Sequence, residues 1–155
     1  MQPLTYFLTA IIACTGLFIG IFLALQVKEE LKKGNAYFKL LGKVLFAAIF
    51  AITLNSLNIT ILIRVAAYIA VLIILSATKL NSLPIFSALG AMFYITSAKP
   101  EMFFIVSSMI FIFGLAAGGE LAAESKRKKL NELILQGSKT GIAFAAIAIS
   151  LGILL

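Results

Sequence analysis

Long apolar stretches, separated by short polar segments, dominate the chain. A helix that crosses the ~30 Å hydrocarbon core of a bilayer needs roughly 20 mostly apolar residues, and about 17 still suffice. Six stretches approach this length, at residues 4–26, 36–54, 59–78, 83–97, 102–121 and 140–155. The pattern therefore predicts an all-α integral membrane protein, a bundle of six transmembrane helices that forms a single domain over residues 1–155.

Two of these spans are shorter than the others. The fourth, at 83–97, opens with Pro84, which the first turn of a helix tolerates. The sixth, at 140–155, has 16 residues. Both are interpreted as full crossings, with a partly re-entrant course as the alternative for each.

The connection after the first span carries turn residues. In the sequence LKKGNAYF, Gly34 suits the left-handed residue that ends a helix, and Asn35 suits the N-cap of the next. The sequence therefore predicts that the first helix extends a turn or two beyond the membrane and reverses at this pair.

The segment 125–139 has a different pattern. Leu130, Leu133 and Ile134 recur at helical spacing among charged residues, and the segment approaches its end at Gly137. A helix with one apolar and one charged face lies flat in the interface of a membrane. A short amphipathic interfacial helix is therefore predicted before the last span.

The basic residues predict the orientation. With six spans, one side of the membrane receives the connections after spans one, three and five. These connections and the span ends beside them contain eleven of the thirteen basic residues: Lys28, Lys32, Lys33, Lys39, Lys43, Lys79, Lys126, Arg127, Lys128, Lys129 and Lys139. Basic loops face the cytoplasm. Both termini are therefore predicted outside (N-out/C-out) in a multi-pass protein of the cell membrane, with anionic lipids as partners at the cytoplasmic face.

The amino-acid composition agrees with a membrane protein and limits the kinds of catalytic or metal site that the chain can form. Hydrophobic residues make up 62% and charged residues 12%, with a mean hydropathy of +1.11. The chain has no His, Asp or Trp, and its one cysteine is Cys14. Zinc sites and Ser-His-Asp or Cys-His catalysis cannot be assembled from these residues. We therefore expect no enzyme, and no catalytic, cofactor-binding or metal site.

The net charge of +7 raises the question of nucleic acid binding. The basic residues lie beside the spans and lack the interleaved aromatic residues of a single-strand platform. We therefore expect no nucleic acid partner. Eleven lysines against two arginines are typical of an AT-rich prokaryotic genome.

Two glycine pairs share the pattern GLxxG. Gly16 and Gly20 lie in the first span, where Ala24 extends the spacing, and Gly114 and Gly118 lie in the fifth. Glycines four residues apart form a flat groove that lets another helix approach closely. The two faces are predicted to pack within the subunit, or alternatively to dock a second copy or another membrane subunit.

Three charged residues within or near the spans are candidates for a site or an ion pair. Arg64 lies five residues into span three, and Glu101 lies on the same predicted outer face, so the two are predicted to pair. Glu120 is the nineteenth residue counted from Met102. This position is at the cytoplasmic boundary of the span.

The sequence GGELAAESKRKK allows two interpretations of Glu120 and Glu124. In the favoured one both carboxylates are solvated and pair with the basic block, since Lys128 follows Glu124 at the favourable spacing. In the alternative, Gly118 and Gly119 let an ion approach Glu120, which then binds a cation or a proton, as carboxylates within membranes commonly do.

Two classes of function fit these features. The favoured hypothesis is a transporter or channel-like protein for ions or a small solute, acting as a homo-oligomer because few polar residues line a path within one chain. The alternative is a non-catalytic subunit or scaffold of a larger membrane complex, which the glycine grooves would serve.

Overall fold

The computed structural model describes residues 3–27, 31–57, 59–77, 82–124 and 130–153, and in these ranges the regular structure is six α-helices. In chain order they are α1 (Pro3–Gln26), α2 (Leu31–Ser56), α3 (Ile61–Ala77), α4 (Leu83–Thr96), α5 (Pro100–Glu124) and α6 (Leu130–Gly152). The side chains of residues 31–33, 77, 124, 130 and 131 lie outside the description. The predicted all-helical class is confirmed.

The helix pair α1 and α5 forms the centre of the bundle, and it is the most extensive helix contact. The buried residues of α1 recur every three or four positions, from Tyr6 to Ala24, and form one continuous stripe. Tyr6 stacks on Phe103 near the start of α5, with ring centroids 5.8 Å apart. Because the starts of the two helices meet, α1 and α5 run parallel.

The neighbouring helices run in the opposite direction. Near the start of α2, Lys39 lies beside Glu120 near the end of α5. Near the end of α6, Gly152 lies against Tyr6 at the start of α1. A short turn joins α4 to α5, and the ring centroids of Phe93 and Phe103 beside it are 4.7 Å apart. Helices α2, α4 and α6 are therefore antiparallel to α1 and α5.

Helix α3 lies at the periphery. Its main contact is with α2, to which it is antiparallel, since Asn55 near the end of α2 bonds to Arg64 near the start of α3. Most of its large apolar side chains are exposed, and Leu75 is the buried exception among its described residues. All six helices therefore alternate in direction along the chain, as successive crossings of a membrane require.

Length separates the helices into two groups. Four are long and apolar enough to cross a membrane, over Pro3–Gln26, Gly34–Ser56, Pro100–Ala123 and Glu132–Gly152. Helices α3 and α4 are apolar too, but they have 17 and 14 residues. At a rise of 1.5 Å per residue, 14 residues extend only ~21 Å. The protein is thus a multi-pass membrane protein with four long helices and two shorter apolar ones.

The predicted reversal at Gly34 and Asn35 is wrong. Helix α1 ends at Gln26, and α2 already begins at Leu31, so both residues lie inside the first turns of α2. Gly34 does not adopt a positive φ, as none of the described glycines does. The first turns of α2 therefore include both residues, and this part of α2 lies alongside the end of α5.

The prediction of a separate interfacial helix within 125–139 is also wrong for residues 130–139, which the structure describes. Helix α6 runs without a break from Leu130 through Gly137 to Gly152, while residues 125–129 lie outside the described residues. Gly137 does not end a helix. It allows a close approach, since a Cβ there would lie 2.9 Å from Cδ1 of Ile21. Leu133 is buried with the core, so this turn packs against the bundle.

Candidate ion site and glycine interface

The candidate site lies near the end of α5, where α2 covers its last turns. Glu120 is 2% exposed, which makes it one of the most deeply buried large side chains among the described residues. It lies seven residues after Phe113, on the same face of α5, and Phe113 is fully buried in the core. The interpretation of Glu120 as a solvated carboxylate is therefore wrong, while its position at the membrane boundary stays a prediction.

The start of α2 provides the cover over this part of α5. The ring of Phe38 lies against Gly119, where an added Cβ would come within 3.3 Å of three ring carbons. Lys39, the next residue, lies beside Glu120, so this part of α2 extends over the end of α5. The glycine before Glu120 is what allows Phe38 to approach so closely.

Lys39 provides a positive charge for the buried carboxylate. Its Nζ lies 3.9 Å from Oε1 of Glu120, and the Lys39 side chain is 41% exposed while that of Glu120 is 2% exposed. A separation of 3.9 Å is longer than a direct hydrogen bond, so this contact is an ion pair. The pair thus joins an enclosed carboxylate to an ammonium group that reaches the surface.

Glu120 also lies near the negative end of a helix, so the ammonium group of Lys39 has a second charge to offset. Glu120 lies one turn before the end of α5, where the exposed carbonyls give the helix terminus a partial negative charge. A carboxylate is disfavoured there, and a cation is favoured. Lys39 therefore offsets both the charge of Glu120 and that of the helix end.

Glu124, the second candidate carboxylate, is the last residue of α5, and its side chain lies outside the described residues. The basic block with which both carboxylates were predicted to pair occupies 126–129, which is outside the described ranges too. Whether Glu124 shares the ion site therefore stays a prediction.

The sequence pattern did not identify Lys39 as the partner of Glu120. Lys39 was predicted instead as one of the basic residues that face anionic lipids at the cytoplasmic side. A usable signal was present, because the predicted orientation already placed the start of span two and the end of span five at the same membrane surface. What the pattern did not contain was which faces of the two helices meet.

The two glycine pairs lie against each other. A Cβ on Gly114 would lie 2.7 Å from the backbone nitrogen of Leu17, and one on Gly20 would lie 2.8 Å from Cα of Leu115. Such distances are shorter than real Cβ contacts, so the two backbones touch. Gly16 meets Phe111 and Gly118 meets Ile21 in the same way, and Ala24 packs with Ala122 beyond them.

Each GLxxG motif is therefore the partner of the other, and the interface they form lies within one chain. Parallel helices with small residues at four-residue spacing bring their backbones together in this manner. Since both glycine faces are covered, neither is exposed for a second copy or another subunit.

The predicted pair of Arg64 and Glu101 does not form between these residues. Nη1 of Arg64 instead donates a hydrogen bond to Oδ1 of Asn55, over 3.0 Å. Glu101 is exposed in the first turn of α5. A second cation lies nearby, since Nζ of Lys99 donates to the backbone carbonyl of Ser56 over 3.0 Å. Both cations are thus bound to the end of α2.

The buried hydroxyl groups are satisfied by their own helices. Thr53 donates to the carbonyl of Ile49, Ser107 to Phe103, and Thr140 to Gly137. Such bonds are the usual solution for hydroxyls in membrane helices. These hydroxyl groups therefore do not line a polar path. Among the residues that the structure describes, Glu120 and Lys39 form the only ion pair.

Comparison with protein-family models, curated proteins and solved structures finds no match to this chain. The interpretation of the ion site therefore depends on its geometry and chemistry alone.

Proposed function

We propose that the protein is a small six-span carrier of the cell membrane that transports a cation or protons, or a small solute coupled to them, with Glu120 as its ion-binding group. The observation that supports this proposal is a carboxylate that is 2% exposed and faces a partly exposed lysine ammonium. Both termini lie outside on this proposal, and the basic end of the bundle meets anionic lipids of the cytoplasmic leaflet.

The enclosed carboxylate is poorly explained by stability alone. Removing a charge from water costs several kcal/mol, and well-packed apolar residues often serve a fold as well as an ion pair or better. The ammonium group of Lys39 is partly exposed, so it offsets only part of this cost. Ionisable groups inside membrane proteins commonly belong to ion pathways and proton relays. The pairing suggests a simple mechanism, in which a cation or proton at Glu120 replaces Lys39 and leaves the ammonium group to move toward the surface.

The opposite end of the bundle favours a carrier over an open channel. Four fully buried rings, those of Tyr6, Phe93, Phe103 and Phe144, pack together there, with centroids between 4.7 and 5.8 Å apart. The hydroxyl of Tyr6 donates to the carbonyl of Ala148 over 2.8 Å and ties α1 to α6. Transport past this cluster requires helices to rearrange, which is the behaviour of a carrier.

The alternative function is a non-catalytic subunit or scaffold. The glycine grooves that first suggested it are covered within the chain, which weakens it. The feature that still favours it is α3, whose apolar side chains face outward and have α2 as their main helix contact. A homo-oligomer formed through α3 is compatible with either function.

Transport by purified protein in proteoliposomes tests the proposal directly. We expect a cation- or proton-dependent flux that Glu120→Gln abolishes, because glutamine keeps the shape of the side chain and removes its charge. Glu132→Gln is the matched control: Glu132 is exposed in the first turn of α6, at the same end of the bundle. Flux retained in Glu120→Gln, or lost equally in both variants, would exclude Glu120 as the ion-binding group.

Cysteine accessibility tests the six-span orientation. In a Cys14→Ser background, a cysteine at Lys99 is expected to react with an impermeant thiol reagent added to intact cells. A cysteine at Glu132 should react only after the membrane is opened, because the two exposed positions lie at opposite ends of the bundle. Labelling of both positions in sealed cells would contradict a crossing by α5 in the predicted direction.

A further inference from the structure

A groove runs along the outside of the bundle between α2 and α3. Two cavities, of about 540 and 450 Å³, form it and share Tyr68. Their lining follows one face of each helix at four-residue spacing: Lys43, Ala47, Ala51 and Asn55 on α2, and Arg64, Tyr68, Leu72 and Ser76 on α3. Volumes of this size suit a small ligand, which usually needs ~300–1,000 Å³.

The larger cavity has a polar end and an apolar end. Arg64 and Asn55 lie at the end of the groove where α3 begins. One turn deeper along both helices the lining becomes apolar, with Ala51, Ile52 and Ile69. The shape and chemistry of the cavity thus match an amphiphile whose head group lies near the membrane surface.

The charge of Arg64 is not balanced by the protein nearby. Within the described residues no carboxylate oxygen lies within 4.0 Å of its guanidinium, and its Nε is buried without an acceptor. The bond from Nη1 to Asn55 uses one of five N–H donors. A cation beside an apolar cavity is costly unless it reaches an opposite charge or water.

We propose that this groove binds a phospholipid, with the lipid phosphate on the Arg64 guanidinium and an acyl chain along the apolar lining past Ala51. A guanidinium matches the geometry of a phosphate through paired N–H donors. Arg64 lies in the first turn of α3, which on the proposed six-span arrangement meets the head groups of one leaflet. The apolar deeper half of the cavity favours a lipid as the source of the phosphate over a soluble anion.

Lipid titration followed by native mass spectrometry of the purified protein tests this site. Phosphatidylglycerol is compared with diacylglycerol of the same chains, which lacks the phosphate. We expect tighter binding of phosphatidylglycerol, and a loss of about tenfold in its affinity in Arg64→Gln, with diacylglycerol unaffected. Lys99→Gln is the control, because Lys99 is an exposed cation at the same end and does not line the groove.

Two further arms keep the test decisive. Ala51→Phe fills the apolar part of the cavity with Arg64 intact, and it should weaken both lipids. Glycerol 1-phosphate, a head group without chains, should not displace phosphatidylglycerol at millimolar concentration. Unchanged phosphatidylglycerol affinity in Arg64→Gln, equal losses in Arg64→Gln and Lys99→Gln, or displacement by glycerol phosphate would each overturn the proposal. If Arg64→Gln does not fold, unchanged affinity in Ala51→Phe overturns it.

Discussion

Replacing Lys39 alone by glutamine is expected to destabilise the protein more than replacing Lys39 and Glu120 together. Lys39→Gln leaves the buried carboxylate of Glu120 without the ammonium group 3.9 Å away, whereas the double variant leaves two neutral amides. Breaking a fully buried pair costs ~3–5 kcal/mol, and removing both charges is often neutral. The loss for Lys39→Gln should fall below this range, because Lys39 is 41% exposed.

The measurement is the midpoint of thermal unfolding in mild detergent, together with the monodisperse fraction on size-exclusion chromatography. Lys139→Gln, which removes an exposed lysine from α6, is the control and should behave as the parent protein. Equal stability of Lys39→Gln and the double variant would mean that the pair does not stabilise Glu120 in its buried position. Combined with the flux measurement, the double variant separates folding from transport, since it should fold and carry nothing.

A single methyl group at Gly20 is expected to disrupt the centre of the bundle. In Gly20→Ala the new Cβ would lie 2.8 Å from Cα of Leu115, so α1 and α5 must separate. Overpacking usually costs 1–3 kcal/mol, and here the obstacle is backbone, which cannot rotate away as a side chain can. We expect a clear fall in the unfolding midpoint for Gly20→Ala, and loss of folded protein for Gly20→Leu.

Gly34→Ala adds the same methyl group against a side chain instead of backbone. Its Cβ would lie 3.3 Å from the ring of Phe38, which also packs against Gly119 and must move by a few tenths of an ångström, while alanine is favoured over glycine in a helix by ~1 kcal/mol. This control should therefore lower the unfolding midpoint much less than Gly20→Ala. A folded Gly20→Ala variant of parental stability but smaller assembly mass would instead place the glycine face between subunits and contradict the interface within the chain.

The periodic apolar stretches predicted the helices well where the chain is uniformly apolar. The first span was predicted at 4–26, and α1 occupies Pro3–Gln26. The last span was predicted from 140, but α6 begins at Leu130. Charged residues at the start of this helix concealed it, because hydropathy identifies the part of a helix in lipid and not the turns that extend beyond it.

Glycine was the least reliable signal, because it can either end a helix or allow close packing within one. Gly34 and Gly137 were interpreted as helix ends, yet both lie inside helices. Gly16 and Gly20 were interpreted as a packing face, which is where the structure places them. The motif with two regularly spaced glycines carried information about packing, whereas a single glycine among charges did not distinguish a close contact from a turn.

The environment of Glu120 could not be predicted from its own helix. Counting residues along span five placed it at the membrane boundary, and that count was reasonable. Burial depends on what covers the residue, and here the cover includes Phe38 and Lys39 of α2, which both lie inside the span predicted at 36–54. The pattern located these two residues but not the faces on which α2 and α5 meet, and that pairing decides whether the carboxylate is exposed.

The parallel contact between α1 and α5 also constrains how the protein is made. Gly16 and its partner Gly114 are separated by about a hundred residues, which a ribosome synthesises in roughly 5–20 s at its usual rate. During that interval the flat glycine surface of α1 has not yet met α5, while the three intervening helices are synthesised. The bundle is therefore completed late, and the nascent chain depends on lipid, or on the insertion machinery, to shield the surface that later becomes its centre.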